Sequence, residues 1–311
     1  YFEIFSPLRC LFSDSLLELL NIITETSSVD NQQLQIHFNS QQFIEVNKHA
    51  ISGDGTVDLD HIDFISERAD KRLIVVAAAP RTGSTFLSNV LSQFTASPYF
   101  RLSSAYGTNE NDLSLPALCF INPTGCVSQL HMKGTYHNAK LIQKFGIKPI
   151  ILVRNIHDTI ISLMNDLKKK REIEDYGTGK TGYSFMWQDM STKKHDDEQL
   201  IDMIIDLAIP WYVNFYVSWH RLCEQQMIDA KWVTYEDLMK DKNQVVNDIL
   251  NFVDAKQIAG NSDEILSKKY GTFNGGKIGY GAKLINNARK KRIKKLFSYY
   301  PDIKFKYYGL L

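Results

Sequence analysis

LIVVAAAPRTGSTFL, residues 73–87, decides the fold. An unbroken apolar run that includes β-branched residues reads as a strand buried on both faces of a sheet. A Pro-Arg-Thr-Gly turn follows, and Ser84 then opens a helical pattern. Strand, tight loop and helix in that order make an anion cradle. The first N–H groups of a helix lack partners inside it, and the helix dipole favours negative charge there. The stretch nearly overlays the nucleoside-triphosphate loop G-x-x-x-x-G-K-[ST]. Ala78 stands at the first Gly, Gly83 at the second, Ser84 at the Lys and Thr85 at the Ser/Thr position. The Lys that reaches the β- and γ-phosphates is therefore absent. A cation stands inside the turn instead, as Arg81. The loop suits a phosphate, but not hydrolysis of ATP or GTP in the usual way.

Working outward, residues 71–311 alternate strand and helix patterns, which predicts an α/β domain with a central parallel β-sheet flanked by helices. Strands are expected at 73–78, 127–132, 149–153 and 231–234. Helices are expected at 84–94, 138–145, 158–169, 200–227 (broken at Pro210), 245–253 and 282–297. Residues 1–70 carry no sharp motif, and read as a mainly helical N-terminal appendage with a helix at 14–26 and a short strand at 34–38. Residues 170–199 are polar and glycine-containing, a candidate lid or binding loop. FNGGKIGYG, 273–281, is a second glycine-rich loop.

Composition excludes several classes. In 311 residues the formal net charge is +1, so no general nucleic-acid partner is expected. The clusters Lys168–Arg171 and Arg289–Lys295 read as solvated helix faces. Four scattered cysteines form no disulfide framework and no zinc pair, and free thiols are the expectation. No apolar run approaches the ~18–20 residues of a membrane span. No Asn-x-Ser/Thr site occurs, since Asn122 precedes Pro, and a cytoplasmic location is expected. The chain opens at Tyr1 rather than Met, as a piece of something longer does.

A second candidate anion site lies in ILVRNIHDTIISL, 151–163. Arg154 stands at the end of a buried strand, Asp158 is placed to cap the next helix, and Ser162 lies one turn on along the same face. A strand-end Arg and a nearby hydroxyl can hold a phosphate at the carboxyl edge of a parallel sheet. A salt bridge is the plainer reading of Arg154 alone.

Taken together, the two motifs resemble the sulfotransferases that use 3′-phosphoadenosine 5′-phosphosulfate (PAPS). Their phosphosulfate loop has the form P-[KR]-[ST]-G-[ST]-T-[WFL]; this chain has PRTGSTF at 80–86. Their 3′-phosphate site has the form V-R-N-x-x-D-x-x-x-S; this chain has VRNIHDTIIS at 153–162. Tyr235-Glu236-Asp237 follows a later strand, as in that family. The likeness covers roughly residues 70–310. It implies PAPS as co-substrate, 3′-phosphoadenosine 5′-phosphate (PAP) as product, and no metal. Arg81 takes the loop cation's place at the phosphosulfate bridge. Thr82, Gly83, Ser84 and Thr85 hold the 5′-phosphate, and Phe86 and Tyr235 lie near the adenine. Arg154 and Ser162 hold the 3′-phosphate. The family's R-K-G-x-x-G loop is matched by residues 274–279. Gly276 and Gly279 keep the spacing, Asn-Gly replaces Arg-Lys, and Lys277 is the cation at hand.

Sulfuryl transfer, like phosphoryl transfer, passes through a loose in-line transition state, so catalysis rests on positioning and charge stabilisation. The acceptor hydroxyl needs a base. His131, in VSQLHM, lies 23 residues before Arg154, close to the family's spacing. His137, Glu110 and Asp112 are the alternatives, while His157 is expected at the surface. Trp187, Trp211, Tyr212, Phe215 and Trp219 line an acceptor pocket or the core; the i, i+4 stripe at 211, 215 and 219 favours core. The acceptor is open among small molecules, lipids and glycans. Two other classes stay on the table: a kinase or nucleotide hydrolase, and a non-catalytic nucleotide-binding module. The oligomeric state is not readable.

Overall fold

The computed structural model describes residues 72–103, 110–122, 124–172, 183, 185–186, 192–258, 262–268, 270 and 278–311. The expected appendage at 1–70, Trp187, Gly276 and Lys277 lie outside the described residues.

The described elements are β1 (Leu73–Ala78), α1 (Ser84–Thr95), α2 (Leu115–Ile121), β2 (Cys126–Leu130), α3 (Tyr136–Lys144), β3 (Ile150–Val153) and α4 (Ile156–Lys170). After them come α5 (Asp197–Met203), α6 (Ile209–Glu224), β4 (Lys231–Thr234), α7 (Tyr235–Lys240), α8 (Lys242–Phe252), α9 (Ser262–Ser267), α10 (Gly281–Leu284) and α11 (Asn287–Phe297). Four parallel strands form one sheet in the order β2-β1-β3-β4. Val76 pairs with Gln129 on one side and Ile150 on the other. Every β1 residue is buried, because helices cover both faces. Leu73, Val75 and Ala77 join one core, with α4 and α6. Ile74, Val76 and Ala78 join the other, with α1 and α8. Burying each of the larger side chains, Leu73, Ile74, Val75 and Val76, is worth ~1.5–3 kcal/mol.

That topology places the site. The chain leaves β1 for β2 on one side and later returns to β3 on the other. The carboxyl ends of β1 and β3 therefore flank a switch point, where open α/β sheets bind ligands. The loops carrying Arg81 and Arg154 leave from these two ends.

Three local expectations are revised. Pro210 does not break its helix: α5 and α6 are joined by a π-helical segment, Ile204–Ala208, which absorbs the missing N–H. The resulting 28-residue stretch, Asp197–Glu224, is long and apolar enough by length and composition to cross a membrane, and 67% of its most apolar window is buried inside this fold. Arg289 is not part of a solvated face. It is buried and paired with Asp202 at 2.6 Å and with Glu198, clasping α11 to α5. Asp158 does not cap α4. Asn155 does, its Oδ1 accepting from the His157 N–H at 3.0 Å.

Candidate functional site

The loop between β1 and α1 is shaped by where its carbonyls go. His131 Nδ1 lies 2.7 Å from the Ala78 carbonyl oxygen. Thr82 Oγ1 donates to the Ala79 carbonyl at 2.7 Å. Tyr212 Oη donates to the Pro80 carbonyl at 2.8 Å. Arg154 Nη1 donates to the Arg81 carbonyl at 3.0 Å. Four consecutive acceptors are thus turned toward protein donors. Arg81 sits at φ +66° and Gly83 at φ +92°, so the chain reverses in the left-handed region twice. The N–H groups of Gly83, Ser84 and Thr85 meet no acceptor among the described residues, and α1 has no side-chain N-cap. Donors unpaired and carbonyls held elsewhere are what an anion requires.

Gly83 is demanded by packing as well as by φ. A Cβ there would stand 2.7 Å from the Tyr235 ring. On that ring's account, the Arg154 guanidinium carbon lies 4.4 Å from the centroid. Tyr235 is thus a wedge joining the two loops. Thr82 is fully buried with its hydroxyl committed to Ala79, so its main-chain N–H is what it offers a ligand. Ser84 Oγ has no partner among the described residues, and Thr85 is exposed. Phe86 is buried on the core face of α1, edge-on to Tyr270 with ring centroids 5.8 Å apart.

Arg154 is buried, and its Nε has no hydrogen-bond partner among the described residues. An orphaned guanidinium N–H at a strand end fits a further anionic group. Ser162, expected beside that group, touches the loop cation: its Oγ accepts from Arg81 Nε at 3.3 Å. Asp166, one turn further along α4, pairs with Arg81 Nη1 at 3.0 Å. Asp158 serves the C-terminal glycine loop. Its two oxygens accept the Gly279 N–H at 2.7 Å and the Gly281 N–H at 2.6 Å. Gly279, at φ +73°, is thereby docked on Asp158 in the first turn of α4, four residues past Arg154 in sequence. Glu236 Oε1 accepts the Asn155 N–H at 3.1 Å, tying α7 to the same edge.

His131 lies immediately past β2. Its main-chain N–H donates to Asn111 Oδ1 at 3.0 Å. Burial pushes its imidazole down to about 4, aided by the Arg101 and Lys170 charges and opposed by the Ala78 carbonyl. At neutral pH the ring is uncharged, and a carbonyl acceptor at Nδ1 fixes the proton there. Nε2 is left as a lone-pair acceptor.

The alternatives are engaged otherwise. His137 Nε2 lies 3.3 Å from the Leu113 carbonyl, on an exposed turn of α3. Asp112 accepts from Asn138 Nδ2 at 2.8 Å. Burial raises the Glu110 carboxyl, but hydrogen bonds from Lys133 at 2.8 Å and Trp211 Nε1 at 2.7 Å outweigh it and leave the group below its ordinary value. Trp211, Tyr212, Phe215 and Trp219 are core residues, all nearly buried. The described part of the 170–199 stretch folds back over α4 and α6. Tyr183 is buried, and Phe185 stacks on Trp211 with centroids 4.7 Å apart. The sequence marks neither Asp166 nor Tyr183 as a site residue, and marks Tyr212 only for an acceptor pocket or the core. Asp166 carries the one local signal, its i, i+4 spacing from Ser162.

A model of the sulfotransferase domain matches residues 71–273, well over half of the chain. Solved structures are similar at low identity. A mouse sulfotransferase complexed with PAP shares 12% identity at a TM-score of 0.48, over 82% of this chain and 90% of that one. A retinol dehydratase in complex with androsterone and PAP shares 12% at 0.45, over 84% and 93%. A sulfotransferase domain from the curacin biosynthetic pathway shares 13% at 0.36, over 63% and 80%. No curated protein matches the sequence.

Proposed function

This chain belongs to the sulfotransferase family, and we propose that it moves the sulfuryl group of PAPS to an acceptor hydroxyl, with His131 as the base. The observation that carries the donor reading is the loop's polarity: four successive carbonyls, Ala78 to Arg81, are each held by a protein donor, while the N–H groups of Gly83, Ser84 and Thr85 are left for a ligand.

In this reading the 5′-phosphate sits on those N–H groups at the α1 terminus, with Arg81 beside the bridge to sulfur. The 3′-phosphate takes the Arg154 guanidinium, and the turn at Gly279 closes on it. The acceptor oxygen attacks sulfur in line with the bridging oxygen. The bond from sulfur to that oxygen breaks, and PAP leaves with the negative charge. Arg81, the loop N–H groups and the α1 dipole are fixed before that charge develops, so little reorganisation is needed. The acceptor proton passes to His131 Nε2. In a loose transition state the proton leaves late, and a neutral nitrogen in place serves despite its low basicity.

The deciding experiment is calorimetry with PAP and with ATP plus magnesium, followed by an acceptor screen with labelled PAPS. Micromolar PAP binding and label transfer to a hydroxyl compound support the reading. Binding of ATP with no response to PAP overturns it.

A further inference from the structure

Arg81 is held more firmly than a loop cation needs for charge alone. Its carbonyl is fixed by Arg154, and its backbone sits in the left-handed region. Its side chain then meets two residues of α4, one turn apart. Nε donates to Ser162 Oγ at 3.3 Å, and Nη1 pairs with Asp166 Oδ1 at 3.0 Å. A planar guanidinium can answer a hydroxyl through Nε and a carboxylate through Nη1 at fixed directions in one plane; a single ammonium cannot do so. Asp166 is buried, and it is itself braced. Its other oxygen accepts from Tyr183 Oη at 2.6 Å and from Lys170 Nζ at 3.0 Å. Lys170 also lies 4.0 Å from the Tyr183 ring centroid.

A buried carboxylate next to a site for a polyanion works against ligand affinity. Here Arg81 and Lys170 offset its charge, so its net contribution to attraction is small. What the carboxylate does supply is direction. We propose that Asp166 is the positioning residue for Arg81: it fixes the plane of the guanidinium for the sulfuryl-transfer step, and Tyr183 holds Asp166 in turn. This rests on the reading of residues 79–86 as the donor cradle.

The test uses the full chain and needs no identified acceptor, because water can take the sulfuryl group, giving PAP and sulfate from PAPS. Wild type, Asp166→Asn, Asp166→Glu, Arg81→Ala and the double variant Arg81→Ala/Asp166→Asn are compared. The readouts are PAPS cleavage rate, KM for PAPS and Kd for PAP by calorimetry. Asp166→Asn is expected to lower kcat about tenfold, with KM and the PAP Kd within about twofold or tighter, since an anion has been removed. Asp166→Glu recovers part of the rate, and the double variant is no slower than Arg81→Ala. An unchanged or raised kcat in Asp166→Asn overturns the proposal, the latter meaning that Asp166 parks Arg81 off the donor. Losses that multiply in the double variant also overturn it. If Asp166→Asn does not fold, Tyr183→Phe carries the same split between kcat and KM at about threefold, and equal losses in both overturn it. Failure of wild type to bind PAP refutes the donor reading itself; wild-type binding with an indifferent Asp166→Asn refutes only this inference.

Discussion

Arg154 Nη1 donates to the main-chain carbonyl of Arg81 at 3.0 Å, across 73 residues of sequence. That guanidinium braces the β1–α1 loop from behind, and its Nε is buried with no hydrogen-bond partner among the described residues. The two candidate phosphate sites are parts of one construction.

Replacing Arg154 by Ala is expected to weaken PAP by about 1.5–3 kcal/mol, the range for a hydrogen bond to a charged group. Adenosine 5′-phosphosulfate, which lacks the 3′-phosphate, should weaken too, because the loop loses its brace, but by less. Calorimetry with both ligands checks this. Equal losses would remove Arg154 from the 3′ side and leave it only as a brace.

Gly83→Ala combines a left-handed backbone with a Cβ only 2.7 Å from the Tyr235 ring. The conformational cost alone is about 1–2 kcal/mol. A lower thermal midpoint and loss of PAP binding are expected. In Gly83→Ala/Tyr235→Leu the clash is eased but φ is not, so stability should return only in part. Full recovery would mean that φ +92° carries no cost here.

Protonation of His131 should occur only near pH 4, because burial holds the group there. Its folded value lies below its ordinary one, so the unfolded chain takes up the proton first as pH falls. Its effect on stability is therefore nil above about pH 6.5 and turns unfavourable as pH drops toward 4. Activity should be flat from about pH 5 upward as far as this group controls it. A pH–rate profile with a midpoint near 6.5, abolished in His131→Asn, would show a solvated imidazole instead.

The two N–H groups held by Asp158, those of Gly279 and Gly281, are separated from it by more than 120 residues. Asp158→Ala should cost about 2–3 kcal/mol for a lost charged acceptor with two bonds and raise hydrogen exchange at 278–281. Gly281→Ala should be worse, since its Cβ would sit 2.2 Å from the His157 main chain. Unchanged exchange in Asp158→Ala would show that the turn is held by other contacts.

Much of this site was legible in sequence because its parts are local. The strand 73–78 and the helix from Ser84 follow from an apolar run and a Gly turn, and the structure gives both nearly to the residue. The Asp158–Ser162 interval is one turn of one helix, so those two residues share a face by arithmetic, with Arg154 at the strand end just before it. What escaped reading involved partners distant in the chain. Asp158 looks like a cap from its position, yet Asn155 sits close enough to take the His157 N–H, which releases Asp158 for glycines 279 and 281. Tyr212 reads as one more aromatic in an apolar helix, and its side chain is indeed buried in the core. Only its hydroxyl, 2.8 Å from the Pro80 carbonyl, marks it as part of the loop.

The amino-acid order by itself determined a strand–loop–helix unit that is a candidate anion cradle, a second Arg-bearing strand end and a sulfotransferase likeness, since each depends on dihedral preferences and spacing within about ten residues. Tertiary structure alone decided how the cradle is held: His131 on Ala78, Tyr212 on Pro80, Arg154 and Asp166 on Arg81. The reason is physical. A loop carbonyl buried at a sheet edge must find a donor, and any residue that the fold brings within 3 Å will serve, whatever its place in the chain.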